Sequence, residues 1–481
     1  MMATDRFPKR LWMLMGALIS VCILMHIQGR WHWSYDYWEH LAVVRAFASN
    51  LFSPKHPLFF GEYAHAFFTP YHFILGILAQ YVSPRVLMAL AGSINIALFC
   101  HSLHLFLYRL TEKRALSFYT LLLTLFVWIG TWNFSGFFHV KVFFAVSSYP
   151  SFFAAIVTFY AWYQCLCVFS DAKRYRYGLL FGLTFFCVLS HPLTYIVFFI
   201  GLIALYVSKK GMALEGYKIF LFVLLGFALA LFWPFFSLLE LFRSGSDLYH
   251  QANQAMYHRF WIRAGFAVLC LPLLWKRYKD KKTDFFVLLS VGLLAIYVLG
   301  YMTHLFSYGR VVSYFLLMMN CVAASWCLER PRGVLFLLAL VAAGVFRVSP
   351  FFEDIMPLGQ DPNSYFSRLT FLKEFVQEDA VILSDEETSR VIPAINGKVV
   401  GSSLGHPVAF IPDFKERNRS LQFFFHKAIS PEERRLIMNR YLVDYILVNK
   451  QDENLLENPS DAFLRWGDVV YEDATYCLIQ L

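Results

Sequence analysis

Three polar residues with helical spacing follow the first apolar segment of the chain: Asp36, Glu39 and His40. Separations of three and four residues put them on one face if residues 36–51 form a helix. The neighbouring stripe consists of Tyr37, Leu41, Val44 and Ala48. The pattern predicts an amphipathic helix that lies on a membrane and presents a carboxylate outward. Such a carboxylate could remove a proton from a substrate hydroxyl while the hydroxyl oxygen attacks a lipid-linked electrophile.

The composition indicates which elements must position these residues. Of the 481 residues, 58% are hydrophobic, 52 are Phe and only 16% are charged. A soluble protein of this size could not bury so much apolar surface, so the repeated apolar runs predict a polytopic α-helical membrane protein. The net charge of +9 does not indicate a nucleic-acid partner, because the basic residues are clustered at the ends of apolar segments.

The basic clusters predict the topology. They lie near the N-terminus and at 109–114, 171–177, 208–211, 276–282 and 329–333, with room for two crossings between successive clusters. If every cluster is cytoplasmic, about eleven spans result, with a cytoplasmic N-terminus and an extracytoplasmic C-terminus. The predicted spans are 11–27, 84–109, 115–133, 150–169, 177–190, 192–208, 217–239, 260–275, 284–302, 311–328 and 333–349. We interpret residues 66–82 as an interfacial or partly inserted helix.

The C-terminal part of the chain differs in composition. "AVILSD" and "VDYILV" are typical of short buried strands, and "PEERRLIMNRYL" of a helix with Ser430 as N-cap and Glu433 completing a capping box. Asn396-Gly397 indicates a turn, and Asp385, Glu386 and Glu387 are interpreted as a solvated loop. We therefore predict a membrane domain at 1–350, whose first outer loop at 28–83 carries interfacial helices, and a small extracytoplasmic α/β domain at 351–481.

This topology gathers ionisable side chains on the outer side of the membrane. They include His139 and Lys141 in "FFHVKVFF", His191 in "SHPLTY" and Arg310 in "HLFSYGRVVSYF". Ionisable groups at a membrane edge are costly unless they are solvated or used, so their convergence predicts a cavity open to that side.

Several motifs together resemble the GT-C superfamily of membrane glycosyltransferases, which use polyprenyl-phosphate sugars. The first span is followed by "D-x-x-x-H-x-x-x-x-R", a Pro-x-His segment and "TPYHFILG". The tail is similar to the extracytoplasmic domain of bacterial members in "AVILSDEETSRVIPAINGKVV" and "RYLVDYILVN". The resemblance covers essentially the whole chain and implies a multi-pass protein of a bacterial inner or plasma membrane that builds cell-envelope glycans.

The resemblance also implies roles for individual residues. Asp36 would be the catalytic base, and Glu39 and His40 would shape the acceptor or donor site. Arg310 would bind the lipid-linked phosphate, and its guanidinium could stabilise the leaving phosphate as charge develops. Three further candidates for the same cavity are His139, Lys141 and His191.

Each of these residues also has a structural interpretation. Asp36 could belong to a solvated helix face, Arg310 could flank a span by snorkelling, and His191 could cap the helix that begins at Pro192. We expect no cofactor, because some relatives have paired acidic residues where this chain has Asp36-Tyr37. A divalent cation on Asp36, Glu39 and His40 is the alternative.

The predicted function is an inverting transfer of a hexose or pentose from a polyprenyl-phosphate donor to a glycan, lipid or protein acceptor on the outer membrane face. No nucleotide-binding motif is present, and a lipid-activated donor needs none. The alternatives are a polymerase or ligase of lipid-linked glycans, a transporter or flippase, and a non-catalytic membrane scaffold. A transporter is disfavoured because the centres of the spans carry few charges and the chain shows no repeated halves.

Overall fold

The computed structural model divides the chain into two compact units. One unit contains residues 1–28 and 88–360, and the other contains residues 29–87 and 361–481. The structure describes residues 8–27, 36–127, 134–209, 213–244, 253–355, 365–402, 410–426, 429–451, 463 and 465–481. We call the two the helical unit and the mixed unit.

The helical unit consists of α-helices joined by short connections. Its longer helices are Lys9–Ile27, Pro84–Thr111 (most of which lies in this unit), Pro150–Ser170, Arg174–Ser190, Pro192–Ser208, Ala213–Ala230, Phe285–Met302, Val312–Leu328 and Gly333–Ile355. A shorter helix, Leu116–Leu122, continues as a π-helix over Leu123–Val127. The other short helices are Val140–Ala145, Leu238–Ser244, Phe260–Ala264 and Leu271–Asp280, and two 3₁₀ segments lie at Gly265–Cys270 and Phe306–Val311.

Several of these helices are suited to a lipid bilayer, so the chain is an integral membrane protein. Five are long and apolar enough to cross one: Lys9–His26, Pro84–Thr111, Pro150–Ser170, Phe285–Met302 and Phe306–Leu328. Each of the eleven predicted spans overlaps a helical segment, and residues 128–133 of the predicted span 115–133 lie outside the described residues. The structure thus confirms the predicted positions of the apolar helices, whereas the number of crossings remains a prediction.

Two predicted spans differ in detail from the observed helices. The helix expected over 217–239 ends at Ala230, because Pro234 follows and cannot continue a helix. The span expected over 260–275 is divided into Phe260–Ala264, the 3₁₀ segment Gly265–Cys270 and Leu271–Asp280. The last of these restarts with proline in its first turn, where a missing N–H costs nothing.

The mixed unit combines two helices of the first loop with a five-stranded sheet. The loop helices are Asp36–Ser49 and Pro70–Ala79, and the C-terminal helices are Tyr365–Arg368, Leu372–Phe375, Glu386–Ile395, Phe414–Phe424 and Pro431–Tyr441. The strands are β1 (Val381–Leu383), β2 (Lys398–Val399), β3 (Tyr445–Asn449), β4 (Asp468–Glu472) and β5 (Tyr476–Gln480), in the order β2-β1-β3-β5-β4. β1 is parallel to β2 and β3, and β5 is antiparallel to β3 and β4.

The core of the mixed unit lies against this sheet. Val381 and Leu383 of β1, Ile446 and Val448 of β3 and Cys477 and Ile479 of β5 alternate along their strands and pack together with Phe424 and Met438. The residues between them, Ile382, Leu447 and Leu478, are also buried, so both faces of the central strands are covered. The predicted strands "AVILSD" and "VDYILV" and the predicted α/β class of this region are therefore confirmed.

The predicted ends of two C-terminal elements are also confirmed. Ser430 accepts a hydrogen bond from the Glu433 N–H at 3.2 Å, and the Glu433 carboxylate accepts one from the Ser430 N–H at 2.9 Å. Gly397 has φ +89°, which only glycine adopts without strain, and it turns the chain into β2.

Residues 385–387 do not form the solvated loop that their charges suggested. Asp385 is the N-cap of Glu386–Ile395, and its carboxylate accepts a hydrogen bond from the Thr388 N–H at 2.9 Å. Acidic residues are favoured in a first helical turn because they face the positive end of the helix dipole, so the same residues fit a helix start.

Removing this cap gives a first prediction. Asp385→Ala should lower the free energy of unfolding by about 1 kcal/mol, because the Thr388 N–H loses its acceptor. Chemical unfolding of the full chain in detergent measures the change. Asp385→Asn is the matched control, since asparagine caps helices as well as aspartate does; equal losses for both substitutions would contradict the capping role.

The grouping of the first loop differs from the predicted domain boundary. Residues 29–87 cluster with 361–481, whereas the sequence assigned the loop at 28–83 to the membrane domain. Specific contacts explain the grouping: helix Asp36–Ser49 packs against Glu386–Ile395, and the Val399 N–H donates to the Leu58 carbonyl at 2.8 Å.

Helix Pro70–Ala79 packs closely on helix Asp36–Ser49. A side chain at Gly76 would lie 2.3 Å from the Phe47 Cβ atom, so only glycine permits this approach. The helix buries Tyr71, His72 and Leu75 and exposes Ile74, Ile77 and Leu78. Ten residues extend about 15 Å, roughly half of the hydrocarbon thickness of a bilayer, which fits the interfacial helix predicted for 66–82 better than a span.

Candidate active site

Asp36 occupies the first turn of helix Asp36–Ser49 and is partly exposed. The predicted helix is therefore present and begins at the predicted residue. A carboxylate in this position is favoured by the positive end of the helix dipole, which is also the structural explanation for an acidic residue there. The helix behind it is almost entirely buried, so the position of the Asp36 backbone is fixed by packing.

Glu39 forms a buried pair with His65. The Glu39 Oε1 atom lies 2.9 Å from the His65 Nε2 atom, and both side chains are completely inaccessible to solvent. His65 Nδ1 accepts a hydrogen bond from the Phe67 N–H at 3.2 Å, so the ring proton is on Nε2 and is donated to the carboxylate. The pair joins the first turn of the helix to the segment that follows it in the loop.

His40 belongs to a second buried chain of hydrogen bonds. Its Nδ1 atom lies 3.1 Å from His72 Nε2, and His72 Nδ1 lies 3.0 Å from Thr69 Oγ1. Burial lowers the pKa of His72 to about 3, so this ring is neutral at physiological pH. A neutral imidazole donates from one ring nitrogen and accepts at the other. The two hydrogen bonds of His72 are therefore donated either from Thr69 through His72 to His40 or in the reverse direction.

The surroundings of Glu39 and His40 differ from those expected of an amphipathic surface helix. Residues 37–44 are all buried, and the polar side chains point into the mixed unit, where His65 and His72 bind them. Of the three predicted residues, Asp36 is partly exposed, and Glu39 and His40 are buried. Glu39 and His40 can therefore hold the helix in place, but they do not contact solvent in this structure.

Arg310 lies in the helical unit, in a small recess that also contains His191. Thr194, Ser135, Ser313 and Tyr314 complete the polar part of its wall. The structure thus brings together two residues that the sequence predicted for one cavity. The recess has a volume of about 10 Å³, enough for one water molecule, so a phosphate would bind at its mouth rather than inside it.

Weak hydrogen bonds orient the Arg310 guanidinium. Its Nε atom donates to Asn253 Oδ1 at 3.3 Å, one terminal nitrogen donates to Ser135 Oγ at 3.4 Å, and the Phe134 ring lies 5.5 Å away. The guanidinium lies at the wall of the recess, and its planar set of N–H donors suits an anionic ligand.

His191 caps the helix Pro192–Ser208, as its structural interpretation proposed. Its Nδ1 atom accepts the Thr194 N–H at 3.2 Å and lies 2.8 Å from Thr194 Oγ1. Thr194 Oγ1 in turn lies 3.2 Å from the Tyr314 hydroxyl. The cap leaves the ring at the wall of the recess, so capping and ligand binding are compatible for this residue.

His139 and Lys141 are not among the residues that line the recess. His139 is the buried N-cap residue of Val140–Ala145, and Lys141 is exposed in the first turn of that helix. Among the described residues, no three His, Cys, Asp or Glu side chains are placed to hold a metal ion.

The sequence did not identify His65, His72 and Thr69 as partners of the first helix. A local signal was present: in "TPYH", Thr69 is the N-cap of Pro70–Ala79, Pro70 occupies its first turn, and the Thr69 hydroxyl accepts the His72 N–H at 3.3 Å. That pattern predicts a helix start and places His72 beside the threonine. Which ring His72 contacts depends on residues far away in sequence.

No family model and no curated protein matches the chain by sequence. Three solved structures of one protein, the oligosaccharyltransferase of Archaeoglobus fulgidus, are similar to it in fold. The apo form has a TM-score of 0.51 and 12% identity, and the match covers 90% of this chain and 69% of that one. The form tethered to an acceptor peptide with an NVT sequon has a TM-score of 0.50 and 12% identity over 92% and 69%.

The third structure, a complex with an inhibitory peptide and a dolichol-phosphate, has a TM-score of 0.51 and 12% identity over 91% of this chain and 69% of that one. At this identity the likeness establishes the fold. The chain therefore shares the fold of this oligosaccharyltransferase, and the prediction of a helical membrane protein with a small C-terminal α/β domain is confirmed at that level.

Proposed function

We propose that this chain, which shares its fold with an oligosaccharyltransferase, is an inverting glycosyltransferase with a lipid-linked donor. The observation that carries the proposal is the extent of the fold, which covers at least 90% of the chain and so includes both the apolar helices and the C-terminal sheet. A transporter or a scaffold would not by itself require this arrangement.

The proposed donor is a hexose or pentose on a polyprenyl phosphate. The relative of the same fold was solved with a dolichol-phosphate, which is a lipid of this class. The phosphate of such a donor is already a good leaving group, so the enzyme needs no nucleotide. Arg310 would bind that phosphate, because a guanidinium offers two parallel donors to a phosphoryl group.

The proposed reaction is a single displacement at the anomeric carbon. Asp36 accepts the proton of the acceptor hydroxyl, and the oxygen forms a bond to the anomeric carbon. The bond from that carbon to the phosphate oxygen breaks, and the polyprenyl phosphate leaves with the electron pair. Arg310 stabilises the negative charge that develops on the phosphate, and the sugar product has inverted configuration.

The buried pairs behind Asp36 would support its role as a base. Glu39 with His65 and His40 with His72 fix the first two turns of the helix, so the Asp36 carboxylate needs little reorganisation when an acceptor binds. In this proposal Glu39 and His40 are positioning residues.

The acceptor is a glycan, a lipid or a protein on the outer membrane face, with the N-terminus of the chain in the cytoplasm and the C-terminal domain outside. Transfer of a preassembled glycan to a peptide is a second candidate, favoured by the acceptor peptide in one structure of the shared fold. A cell-envelope glycan in a bacterial membrane remains the first candidate, because the tail motifs are similar to those of bacterial members.

The proposal is tested with the purified full chain and a panel of polyprenyl phosphates that carry single labelled sugars. Label should pass from the lipid to an added glycan, lipid or peptide fraction, and the inversion is read from the configuration of the product. Transfer without any added acceptor to a growing lipid-linked chain would instead indicate a polymerase. Absence of transfer from every donor, with a folded protein, would contradict the proposal.

Substitution of Arg310 gives a prediction for the donor phosphate. Arg310→Gln should reduce kcat/KM for the donor by about 10²–10³, the usual loss when one group that stabilises a developing anion is removed. Arg310→Lys should lose less, because it keeps the charge but not the two parallel donors. Arg332→Gln, at an exposed position of the same unit, is the control. Equal activity of the Gln variant and the unaltered protein would remove Arg310 from the site.

A further inference from the structure

The mixed unit contains a polar cavity that the proposed reaction does not use. It has a volume of about 230 Å³ and lies between the last two turns of helix Asp36–Ser49, the loop at 50–57 and the segment at 378–379. Ser49, Asn50 and Ser53 contribute hydrogen-bonding groups to its wall. The volume is enough for a phosphate group or one sugar residue with several water molecules.

Three cations line this cavity: Arg45, Lys55 and Lys398. Lys398 is only 5% exposed, and its Nζ atom donates to the His56 carbonyl at 2.8 Å. Arg45 donates to the Asn396 side-chain oxygen at 3.3 Å. Within the described part of the chain neither Arg45 nor Lys398 forms an ion pair with a carboxylate, so both keep donors that the protein does not use.

Two carboxylates lie at the same cavity, and they do not neutralise it. Asp379 is paired with Lys55 at the rim, and Glu378 accepts a hydrogen bond from the Ser49 hydroxyl at 3.1 Å. These two carboxylates attract Arg45 and Lys398 at distances longer than that of an ion pair. Three cations against two carboxylates leave one net positive charge. Because Asp379 is paired with Lys55, this charge lies on the buried Lys398 and the half-buried Arg45.

This arrangement is costly for the protein alone. Burial lowers the pKa of Arg45, and burial together with repulsion from Arg45 lowers the pKa of Lys398 to about 8. A buried and a half-buried cation without an anion between them oppose folding, whereas an anion in the cavity would relieve both the desolvation and the repulsion.

We propose that this cavity binds a small oxyanion, the phosphate or carboxylate group of an anionic sugar, between the Arg45 guanidinium and the Lys398 ammonium. Guanidinium binds phosphate and carboxylate through two parallel hydrogen bonds, and the hydroxyl and amide groups of Ser49, Asn50 and Ser53 suit the hydroxyls of a sugar. The site is independent of the proposed function, because Arg45 lies roughly 13 Å along the helix axis from Asp36 and on the opposite side of the helix.

The proposal has a consequence for pH. An anion favours the charged form of Lys398, so binding takes up protons, and the affinity should fall as the pH rises through about 8, where free Lys398 loses its proton. The other groups that face the cavity are Arg45, whose pKa is lowered by burial, Lys55, whose pKa is raised by its hydrogen bond to Asp379, and the carboxylates Glu378 and Asp379. The buried His56, whose pKa lies well below its ordinary value, stays neutral.

The test uses the full chain in detergent, with calorimetric titration and thermal unfolding in inorganic phosphate, in glucuronate and in neutral glucose at constant ionic strength. Phosphate, glucuronate or both should bind and raise the Tm, and glucose should not. The anion that binds more tightly identifies whether the site prefers a phosphate or a carboxylate group. Lys398→Met and Arg45→Gln should each weaken binding by about 10- to 100-fold, the worth of one charged hydrogen-bonding partner.

Stability separates a binding role from a structural one. Lys398→Met should leave the Tm in chloride unchanged or higher, because it removes a desolvated charge. Arg440→Gln, at an exposed ion pair of the same unit, should bind the anion like the unaltered protein. The proposal is overturned if no oxyanion binds the unaltered chain, or if both cavity variants bind it with undiminished affinity. Because no step depends on sugar transfer, an inactive enzyme would not affect this result.

Discussion

Asp36→Asn should reduce sugar transfer by about 10²–10⁴-fold, the usual contribution of a general base to a proton transfer. Asparagine has the same shape but cannot accept the proton of an acceptor hydroxyl. The substitution should leave the fold intact, because it removes only the attraction between a partly exposed charge and the helix dipole. Initial rates with a labelled polyprenyl-phosphate sugar, measured at saturating donor, report the loss.

The control for this prediction is Asp468→Asn, at an exposed carboxylate of β4 in the same unit. It should transfer sugar at the rate of the unaltered protein. Donor binding by the Asp36 variant should also be unchanged, because the carboxylate acts on the acceptor. A variant at Asp36 that keeps more than a tenth of the activity would show that another group, or none, takes the proton.

His65→Ala should be the most destabilising single substitution in the first loop. It removes the imidazole that binds Glu39 Oε1 and leaves a carboxylate in a position with no access to solvent. Breaking a buried pair by deleting one partner typically costs about 3–5 kcal/mol. Thermal and chemical unfolding of the full chain in detergent should show the loss, and transfer should fall with it if the helix that carries Asp36 is displaced.

The double variant Glu39→Gln/His65→Ala provides the matched comparison. A neutral amide is less costly to bury than a carboxylate, so the second substitution should recover part of the stability lost in His65→Ala. If the single and double variants were equally stable, the interaction between Glu39 and His65 would contribute nothing. Activity separates the two effects, because the double variant keeps Asp36 itself unchanged.

Elements defined by local pattern were predictable. The apolar runs gave the positions of the helices, and the spacing of Asp36, Glu39 and His40 gave a helix that begins at Asp36. "AVILSD" and "VDYILV" were identified as strands because buried runs of β-branched residues are a local signal. The antiparallel pair β4–β5 at the end of the chain was missed, since β4 is largely exposed and its burial does not alternate.

Contacts between distant segments were not predictable from one sequence. The stripe of Tyr37, Leu41 and Val44 indicated one buried face, but the structure buries the polar face as well. That burial depends on His65 and His72, whose partners are set by the way the loop folds back. The shared recess of Arg310 and His191 has the same origin, because 119 residues separate them and only the packing of their helices brings them together.

The mixed unit is formed by segments near both ends of the chain, and this has a consequence for biosynthesis. Helix Asp36–Ser49 depends on Glu386–Ile395 for part of its packing, yet well over half of the chain is translated between them. Until the C-terminal strands have left the ribosome, helix Asp36–Ser49 packs on its neighbour Pro70–Ala79 without Glu386–Ile395. Contacts of such long sequence separation close slowly, so the segment that carries Asp36 should be among the last parts of the newly made protein to become ordered.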